Sequence, residues 1–371
     1  MIDFDYTLTT VVLGGALVGL LSGVFGVYAV LRKQSLLGDT ISHSALPGIA
    51  LVFLVLQVKH PLALILGAMV SGWLGTMIIS SVSNRTRIKL DTIMAVVLAV
   101  FFGLGLALLS LIQKLPTANQ AGLTKFLYGN ASTMLRQDVY VMAGFSAVAL
   151  IVVFLLWKEF KLATFDVDFA RSLGFPIRAL DMILLSLIVV AITIGLQMVG
   201  VVLMSAMLVA PAAAARQWTN RMGVMTLISA FFGMLASVSG ALLSSTIEKL
   251  PTGPSTVCII TLVFVFSILF APTRGLLWQG LKRRYNHGEI ALARILEELY
   301  WLAQNHDSLA HYHELRLLQA INHQRIDTYI ANLSRQKLVE LSGAGGIRLT
   351  AAGLERAESA IEETNGSAAK S

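Results

Sequence analysis

Residues 38–48 read GDTISHSALPG. They overlap the start of an apolar segment, 41–57, that is long enough to cross a membrane. This stretch places a carboxylate, Asp39, and an imidazole, His43, beside otherwise apolar sequence. Further apolar segments lie on both sides of it, separated by short polar breaks. We therefore predict an all-α polytopic membrane domain whose nine spans lie roughly at 8–31, 41–57, 61–82, 91–112, 139–157, 181–199, 201–215, 223–245 and 254–271.

The composition supports a membrane protein. Of the 371 residues, 56% are hydrophobic and only 13% are charged, whereas soluble domains carry about 25% charged residues. Much of the net charge of +7 lies in the short loops and just after the last span, which is typical of membrane orientation signals and argues against a nucleic-acid binder. The single cysteine, Cys258, lies in an apolar segment, so a disulfide within the chain is excluded.

The number of spans and their orientation follow from the loops. The seventh segment is short and contains Pro211, so eight spans with one re-entrant piece are an alternative to nine. With nine spans, eleven Lys and Arg residues lie in the loops of one side and five in those of the other. Because positive residues concentrate in cytoplasmic loops, we expect a multi-pass protein of the bacterial plasma (inner) membrane with its N-terminus outside and its C-terminus in the cytoplasm.

Asp39 and His43 form the candidate metal site. Their four-residue spacing puts both side chains on one face of a helix, and a carboxylate with an imidazole suits Mn, Fe or Zn. Ionisable groups within a span are costly and by default mark a transport pathway. Ser42, Pro47 and Gly48 are the candidate pathway and helix-break residues, since Pro47 and Gly48 can interrupt the helix and free backbone carbonyls near the site.

An alternative is purely structural: Asp39 could cap the helix N-terminus, and His43 could be a packed histidine bonded to a neighbouring helix. Two ligands are also too few for a metal ion, so another helix or a second subunit must supply the others. A pair of subunits related by two-fold symmetry would bring two Asp and two His side chains together.

Residues 36–51, LLGDTISHSALPGIAL, resemble the signature of the ABC-3 family of metal-transporter permeases. Other pieces fit that family in the same order: FLYGNAS at 126–132, FDVDFARSLGFP at 165–176 and MSAMLVAPAAAAR at 204–216. The resemblance covers about residues 8–272 and implies a type II-like ABC importer permease for zinc, manganese or iron, with Asp39 and His43 as its intramembrane ion site. It implies no permanently bound cofactor, only a transported Mn, Fe or Zn ion.

The resemblance also implies partners: cytoplasmic ABC ATPase subunits, a second permease subunit in a homo- or heterodimer, and an extracytoplasmic metal-binding protein, in addition to membrane lipids. The chain has no G-x-x-x-x-G-K-[ST] phosphate loop, so it is not itself the ATPase. A short amphipathic helix in the segment 165–176 is the candidate ATPase coupling element; the alternative is a helix lying on the membrane. The candidate coupling residues are Asp168, Phe169, Ala170, Arg171, Leu173 and Gly174.

Beyond the spans the sequence becomes soluble-like. We predict a transmembrane permease domain at 1–272, a basic linker at 273–287, a small α+β winged-helix-like cytoplasmic domain at 288–363 and a disordered tail at 364–371. The expected order of 289–358 is helix, helix, helix and two short strands, and it resembles the DNA-binding domain of iron- and manganese-dependent repressors.

DNA is nevertheless not an expected partner of this tail. From Gly288 onward, eight Lys or Arg residues stand against eleven Asp or Glu residues, a net charge of −3, whereas DNA-binding domains present a basic face. The tail concentrates four histidines, which could be surface residues or a cytoplasmic metal sensor: His306, His311, His313 and His323.

The leading functional hypothesis is therefore the permease subunit of an ATP-driven importer of divalent transition-metal ions. The repressor-like tail favours manganese or iron over zinc. One alternative is a membrane-tethered, metal-responsive transcriptional regulator whose spans only sense. Another is a secondary transporter, although the inverted repeats that such proteins often show are not apparent in this sequence.

Overall fold

The computed structural model describes residues 6–57, 61–114, 129, 134–247, 250–304, 312–314, 326–342 and 346–368. They form two compact units, residues 1–276 and 277–371. Within the described residues of the first unit, nine helices are long and apolar enough to span a membrane. The all-α membrane domain predicted from the sequence is therefore confirmed.

Within the described ranges, the first unit has eleven helices. Nine are the candidate spans, and the two short helices α6 and α7 lie between the fifth and sixth of these. The helices are α1 (Tyr6–Leu31), α2 (Leu37–Leu56), α3 (Pro61–Arg85), α4 (Leu90–Gln113), α5 (Arg136–Leu155), α6 (Trp157–Phe165), α7 (Val167–Ser172), α8 (Ile177–Val199), α9 (Val201–Trp218), α10 (Met222–Thr246) and α11 (Thr252–Phe270).

Small residues allow the central helices to pack closely. Gly19 of α1 lies directly against the backbone of Gly233 of α10, and Gly23 lies against Ala230 one turn further along. The hydroxyl of Ser229 donates a hydrogen bond to the carbonyl oxygen of Gly23 at 2.6 Å. In lipid, helices associate through such close contacts and polar bonds, because burying apolar surface offers little gain there.

The candidate metal helix α2 packs against α3 and α4 in the same way. Gly48 lies against the backbone of Gly67 of α3, and the hydroxyl of Ser71 donates to the carbonyl oxygen of Ser44 at 2.6 Å. The helix break predicted at Pro47 and Gly48 is wrong, because α2 continues through both residues to Leu56. Neighbouring helices support a proline within a span, so the ring need not end the helix.

The seventh candidate span is a helix of full length. Helix α8 ends at Val199, Gly200 adopts a φ of 86° that favours glycine, and α9 continues to Trp218 with Pro211 inside it. Within the described chain, nine helices, with α9 among them, are therefore long and apolar enough to span a membrane. The sequence pattern ended this span at residue 215 because it stopped at the first charged residue, Arg216.

The second unit contains helices α12 (Leu276–Gln304), α13 (Ile326–Arg335) and α14 (Ala351–Ala368), and strands β1 (His313–Glu314), β2 (Val339–Leu341) and β3 (Gly346–Leu349). The antiparallel sheet has the order β1-β3-β2, with His313 opposite Ile347 and Val339 opposite Leu349. Ile295, Leu299 and Leu333 pack in its core with Ile347.

Three details of this unit differ from the sequence-based prediction. Helix α12 covers residues 276–287 of the predicted linker, and α14 continues to Ala368 in the predicted disordered tail. Strand β1 adds a third strand to the two that were predicted. The sequence did not indicate it, because a two-residue strand leaves no periodic pattern. The second of the three predicted helices falls largely outside the described residues. The winged-helix assignment and the domain boundaries stay predictions.

Candidate functional site

Asp39 and His43 lie together on the first two turns of α2. The distance from His43 Nε2 to Asp39 Oδ1 is 3.4 Å, and the two side chains are 13% and 35% exposed, respectively. The predicted juxtaposition of the two side chains is therefore present in the structure. The cap position of α2 is Leu36, and no side chain caps it. The alternative in which Asp39 serves as the helix cap is therefore wrong.

The imidazole of His43 is held by a neighbouring helix. Its ring meets Phe102 of α4 edge-on, with a distance of 4.5 Å between the ring centroids. Its Nδ1 atom is buried and has no hydrogen-bond partner among the described residues. The contact with Phe102 fits the packed histidine of the structural alternative, whereas a buried nitrogen without a partner favours a ligand position, because buried polar groups are normally satisfied.

This chain supplies two candidate metal ligands at the site, the carboxylate of Asp39 and the imidazole of His43. No group of three or more His, Cys, Asp or Glu residues that could hold a metal occurs among the residues that the structure describes. A borderline or hard divalent ion takes four to six ligands, so further donors must come from water, backbone or a second subunit. The pair can hold a passing cation transiently, which suits a transport pathway better than a structural metal centre.

The three residues predicted to line the pathway have other contacts. Ser42 is buried and donates to the carbonyl oxygen of Gly38 at 2.7 Å within its own helix. Pro47 and Leu46 lie against Gly105 of α4, and Gly48 lies against Gly67. These residues position α2 between its neighbours, and they place Asp39 and His43 only indirectly.

The predicted coupling segment forms a short helix, α7, with exposed side chains. The carboxylate of Asp166 accepts a hydrogen bond from the backbone N–H of Phe169 at 2.9 Å and so caps α7. Phe169 and Leu173 are 52% and 57% exposed, while Ala170 is buried against α6 and α8. Gly174 ends the segment with a φ of 83°. Asp168 and Arg171 form an exposed ion pair at 3.2 Å.

Arg32, which no sequence motif indicated, links this segment to the end of α1. Arg32 Nη1 donates to Asp181 Oδ1 of α8 at 2.7 Å, and its Nε donates to Thr164 Oγ1 of α6 at 3.3 Å. The Arg32 side chain is only 12% exposed. Arg32 therefore fixes the helices on both sides of α7 to the turn that precedes α2. Asp181 is an acidic residue at the start of an apolar segment, and this position was the sequence feature that could have indicated a basic partner.

Other predicted residues lie largely outside the described ranges. Of FLYGNAS at 126–132 only Gly129 is described, with a φ of 73° and close contact to the backbone of Met198 to Gly200. His306, His311 and His323 of the tail are outside the described residues. Arg348 of the second unit contacts two residues of the same unit. Its Nε donates a hydrogen bond to the Glu340 carboxylate at 2.8 Å, and its guanidinium group lies over the Tyr312 ring. The bond to Glu340 raises the pKa of Arg348 above its usual value.

Comparison with known proteins gives consistent relatives. Residues 4–271 match the ABC 3 transport family. The chain is 46% identical over 280 residues to the zinc transport system membrane protein TroC of Treponema pallidum, a match that covers 76% of this chain and 94% of that protein. It is 38% identical over 346 residues to the manganese transport system membrane protein MntC of Bacillus subtilis, covering 93% of this chain and 80% of that protein.

A solved structure has the same fold. The chain is similar to a chain of PsaBC from Streptococcus pneumoniae, solved in complex with Fab, with a TM-score of 0.66 and 29% sequence identity. This match covers 76% of the present chain and 96% of the other. The shared fold thus accounts for the first compact unit of this protein, and the match to the Bacillus protein extends into the second.

Proposed function

This chain belongs to the ABC 3 transport family and is a membrane-spanning permease subunit of an ABC importer, and we propose that its cargo is a divalent transition-metal ion held in passing by Asp39 and His43. ATP is hydrolysed by a separate subunit, and importers of this family also work with a substrate-binding protein. The alternative of a membrane-tethered regulator receives no support from the comparisons.

The observation that carries the ion site is the carboxylate–imidazole pair at 3.4 Å on a candidate span. Ionisable side chains within a membrane cost free energy, so a carboxylate beside an imidazole on a span by default marks a transport pathway. Its mixed oxygen and nitrogen donors suit manganese, iron and zinc. With two ligands from one chain, we propose that the site is completed across the interface with a second permease subunit, either a copy of this chain or a paralogue.

Manganese is the proposed cargo in first place, with iron and zinc as alternatives. The relatives are named for two of these metals: TroC for zinc and MntC for manganese. The match to MntC covers 93% of this chain and therefore includes part of the second unit, whereas the match to TroC covers 76%. The ligand pair alone does not select among these metals, because it accepts several of them and raw affinity does not decide which ion is carried in the cell.

We propose that α7 couples the permease to the ATPase. Its exposed Phe169 and Leu173 provide an apolar surface that can insert into a partner, and Ala170 fixes the helix to its neighbours. Arg32 joins α6 and α8 at both sides of α7 to the turn before the metal helix. A displacement of α7 would therefore reach Asp39 through a short rigid path.

The proposed location is the bacterial plasma membrane with the end of α3, α7 and the second unit in the cytoplasm. The support is the excess of Lys and Arg in the loops on that side. We propose that the second unit is a dimerisation or regulatory module with winged-helix-like topology; its helix α13 followed by the β2–β3 pair supports this assignment.

Metal uptake tests the ion site. In cells that express this chain with its ATPase and binding protein, Asp39→Asn with His43→Gln should lower accumulation of radiolabelled manganese at least tenfold, because even second-shell changes at metal sites cost about 10–100-fold. Asp91→Asn is the matched control, since Asp91 is an exposed carboxylate in the first turn of α4 and should leave uptake near wild type.

Assembly with the ATPase, measured by co-purification, separates loss of the site from loss of folding. Unchanged uptake by the assembled double variant would exclude the ion-site assignment. Competition by unlabelled manganese, iron and zinc against the wild-type transporter ranks the cargo, and stronger competition by zinc would exclude manganese as the principal ion.

A further inference from the structure

A cavity of about 920 Å³ lies where the end of α3 meets α7 and the start of α8. It is separate from the Asp39–His43 site. The side chains that matter for its chemistry are Ser81, Asn84 and Arg85 from α3, Arg171 from α7, and Arg178 and Met182 from α8.

The cavity has an excess of positive charge. Of its three arginines, Arg171 is paired with Asp168 at 3.2 Å. Arg85 and Arg178 make no ion pair with any residue in the described ranges. The cavity also contains Asp181, but Oδ1 of this carboxylate already accepts from Arg32 at 2.7 Å. Two guanidinium groups thus line the cavity without an ion pair to a described residue, and the one carboxylate beside them is shared with Arg32.

These groups have the chemistry of a phosphate site. A guanidinium group offers parallel N–H donors that match phosphate oxygens, so arginine is favoured wherever phosphate is bound. The hydroxyl of Ser81 and the side-chain amide of Asn84 add neutral donors on the same wall. An anion with several oxygens would satisfy both arginines at once.

The surface next to the cavity points to a lipid as the source of that phosphate. Both helices continue from the cavity into the membrane with exposed apolar side chains, Trp73 and Ile78 on α3 and Met182 and Ile183 on α8. Trp73 Nε1 donates to Ser186 Oγ of α8 at 3.2 Å and ties the two helices together along this face. A free phosphate ion would leave this apolar surface uncovered, whereas the acyl chains of a phospholipid would cover it.

We propose that this cavity binds the headgroup phosphate of an anionic phospholipid, with its acyl chains along α3 and α8. Basic pockets between transmembrane helices on the cytoplasmic side commonly hold anionic headgroups, and the loop charges place this end of α3 on that side. A second copy of the chain would bring the same arginines opposite each other, so charge repulsion disfavours it as the occupant. The lipid would also contact Arg178 at the start of α8, next to the coupling helix.

Lipid retention by the purified full-length chain tests the site. The chain is stripped of lipid in detergent, titrated with phosphatidylglycerol, phosphatidylethanolamine or inorganic phosphate, and examined by native mass spectrometry. We expect phosphatidylglycerol to bind at least about tenfold more tightly than phosphatidylethanolamine, because the charge-assisted bonds to both arginines need a net negative headgroup. Arg85→Gln with Arg178→Gln should remove this preference.

Arg87→Gln with Lys89→Gln is the matched control. It removes two charges from the adjacent loop, where both residues are exposed and lie outside the cavity, and it should keep the lipid preference within about twofold of wild type. Gel-filtration profile and thermal midpoint establish that both double variants are folded.

Three results would overturn the proposal. The first is equal retention of the two phospholipids by the wild type. The second is binding of inorganic phosphate at this site with no gain in affinity from phosphatidylglycerol. The third is unchanged lipid preference in the Arg85/Arg178 variant together with loss of ATPase co-purification, which would assign the cavity to an acidic surface of the partner. Loss of lipid preference confined to the Arg85/Arg178 variant supports it.

Discussion

Replacing Gly48 with alanine tests how α2 is positioned. A Cβ atom on Gly48 would lie 2.6 Å from Ser71 Cβ and closer still to the carbonyl oxygen of Gly67. Carbon atoms in contact keep about 3.5–4.0 Å, so α2 and α3 would have to separate by about 1 Å. The hydrogen bond from Ser71 to the Ser44 carbonyl, 2.6 Å in the structure, would then lengthen to about 3.5 Å, the limit of such a bond.

The magnitude follows from three contributions. Overpacking costs about 1–3 kcal/mol, and the weakened hydrogen bond costs roughly 1 kcal/mol. The gain in helix propensity from glycine to alanine offsets about 1 kcal/mol of this. Gly48→Ala should therefore lower the free energy of unfolding by about 1–3 kcal/mol.

Gly103→Ala is the matched control, because a Cβ on Gly103 of α4 meets no atom within 4 Å. It should be neutral or stabilising by up to about 1 kcal/mol. The two variants then differ by about 1–4 kcal/mol, and at about 2–4 °C per kcal/mol the apparent melting midpoint of Gly48→Ala should lie roughly 2–16 °C below that of Gly103→Ala. Fluorescence-detected gel filtration after heating in detergent measures this difference.

The same displacement should affect transport, because Ser44 adjoins His43 and α2 carries both proposed metal ligands. Manganese uptake by Gly48→Ala should fall below that of Gly103→Ala even at a temperature where both are folded. A Gly48→Ala protein that melts at or above the temperature of Gly103→Ala would refute the close contact between α2 and α3.

Two further substitutions test the coupling element. Gly174→Ala places an alanine at a φ of 83° with open space around it, so it should cost about 1 kcal/mol of backbone strain and reduce ATPase co-purification. Gly144→Ala is the control, because Gly144 also faces open space, and it should leave co-purification unchanged. Equal co-purification of the two variants would contradict the role of the turn at Gly174. Arg32→Gln breaks the bond to Asp181 and should cost about 1–3 kcal/mol and lower the metal transported per ATP hydrolysed in the assembled transporter, whereas the exposed Lys33→Gln should not. A transport ratio in Arg32→Gln equal to that of Lys33→Gln would show that Arg32 only stabilises the fold.

The candidate site shows how far side-chain spacing carries a prediction. The four-residue interval between Asp39 and His43 predicts a shared helix face, and the structure places the two side chains 3.4 Å apart. The same reasoning about Pro47 was wrong, because a proline ends a helix only where nothing else supports the chain. The structure shows that Leu46 and Pro47 contact Gly105 and that Gly48 contacts Gly67. These residues are far apart in sequence, so no local sequence pattern predicts the contacts.

The sequence by itself determined the membrane domain, its candidate spans and the candidate metal pair, because lipid requires long apolar helices and makes each ionisable group within them conspicuous. Only the tertiary structure decided that α2 continues through its proline, that Arg32 holds both helices flanking the coupling element, and that Arg85 and Arg178 line one cavity. These features depend on which helices are neighbours, and helices in lipid choose their neighbours through close backbone contacts and single polar bonds that leave almost no periodic signal in the chain.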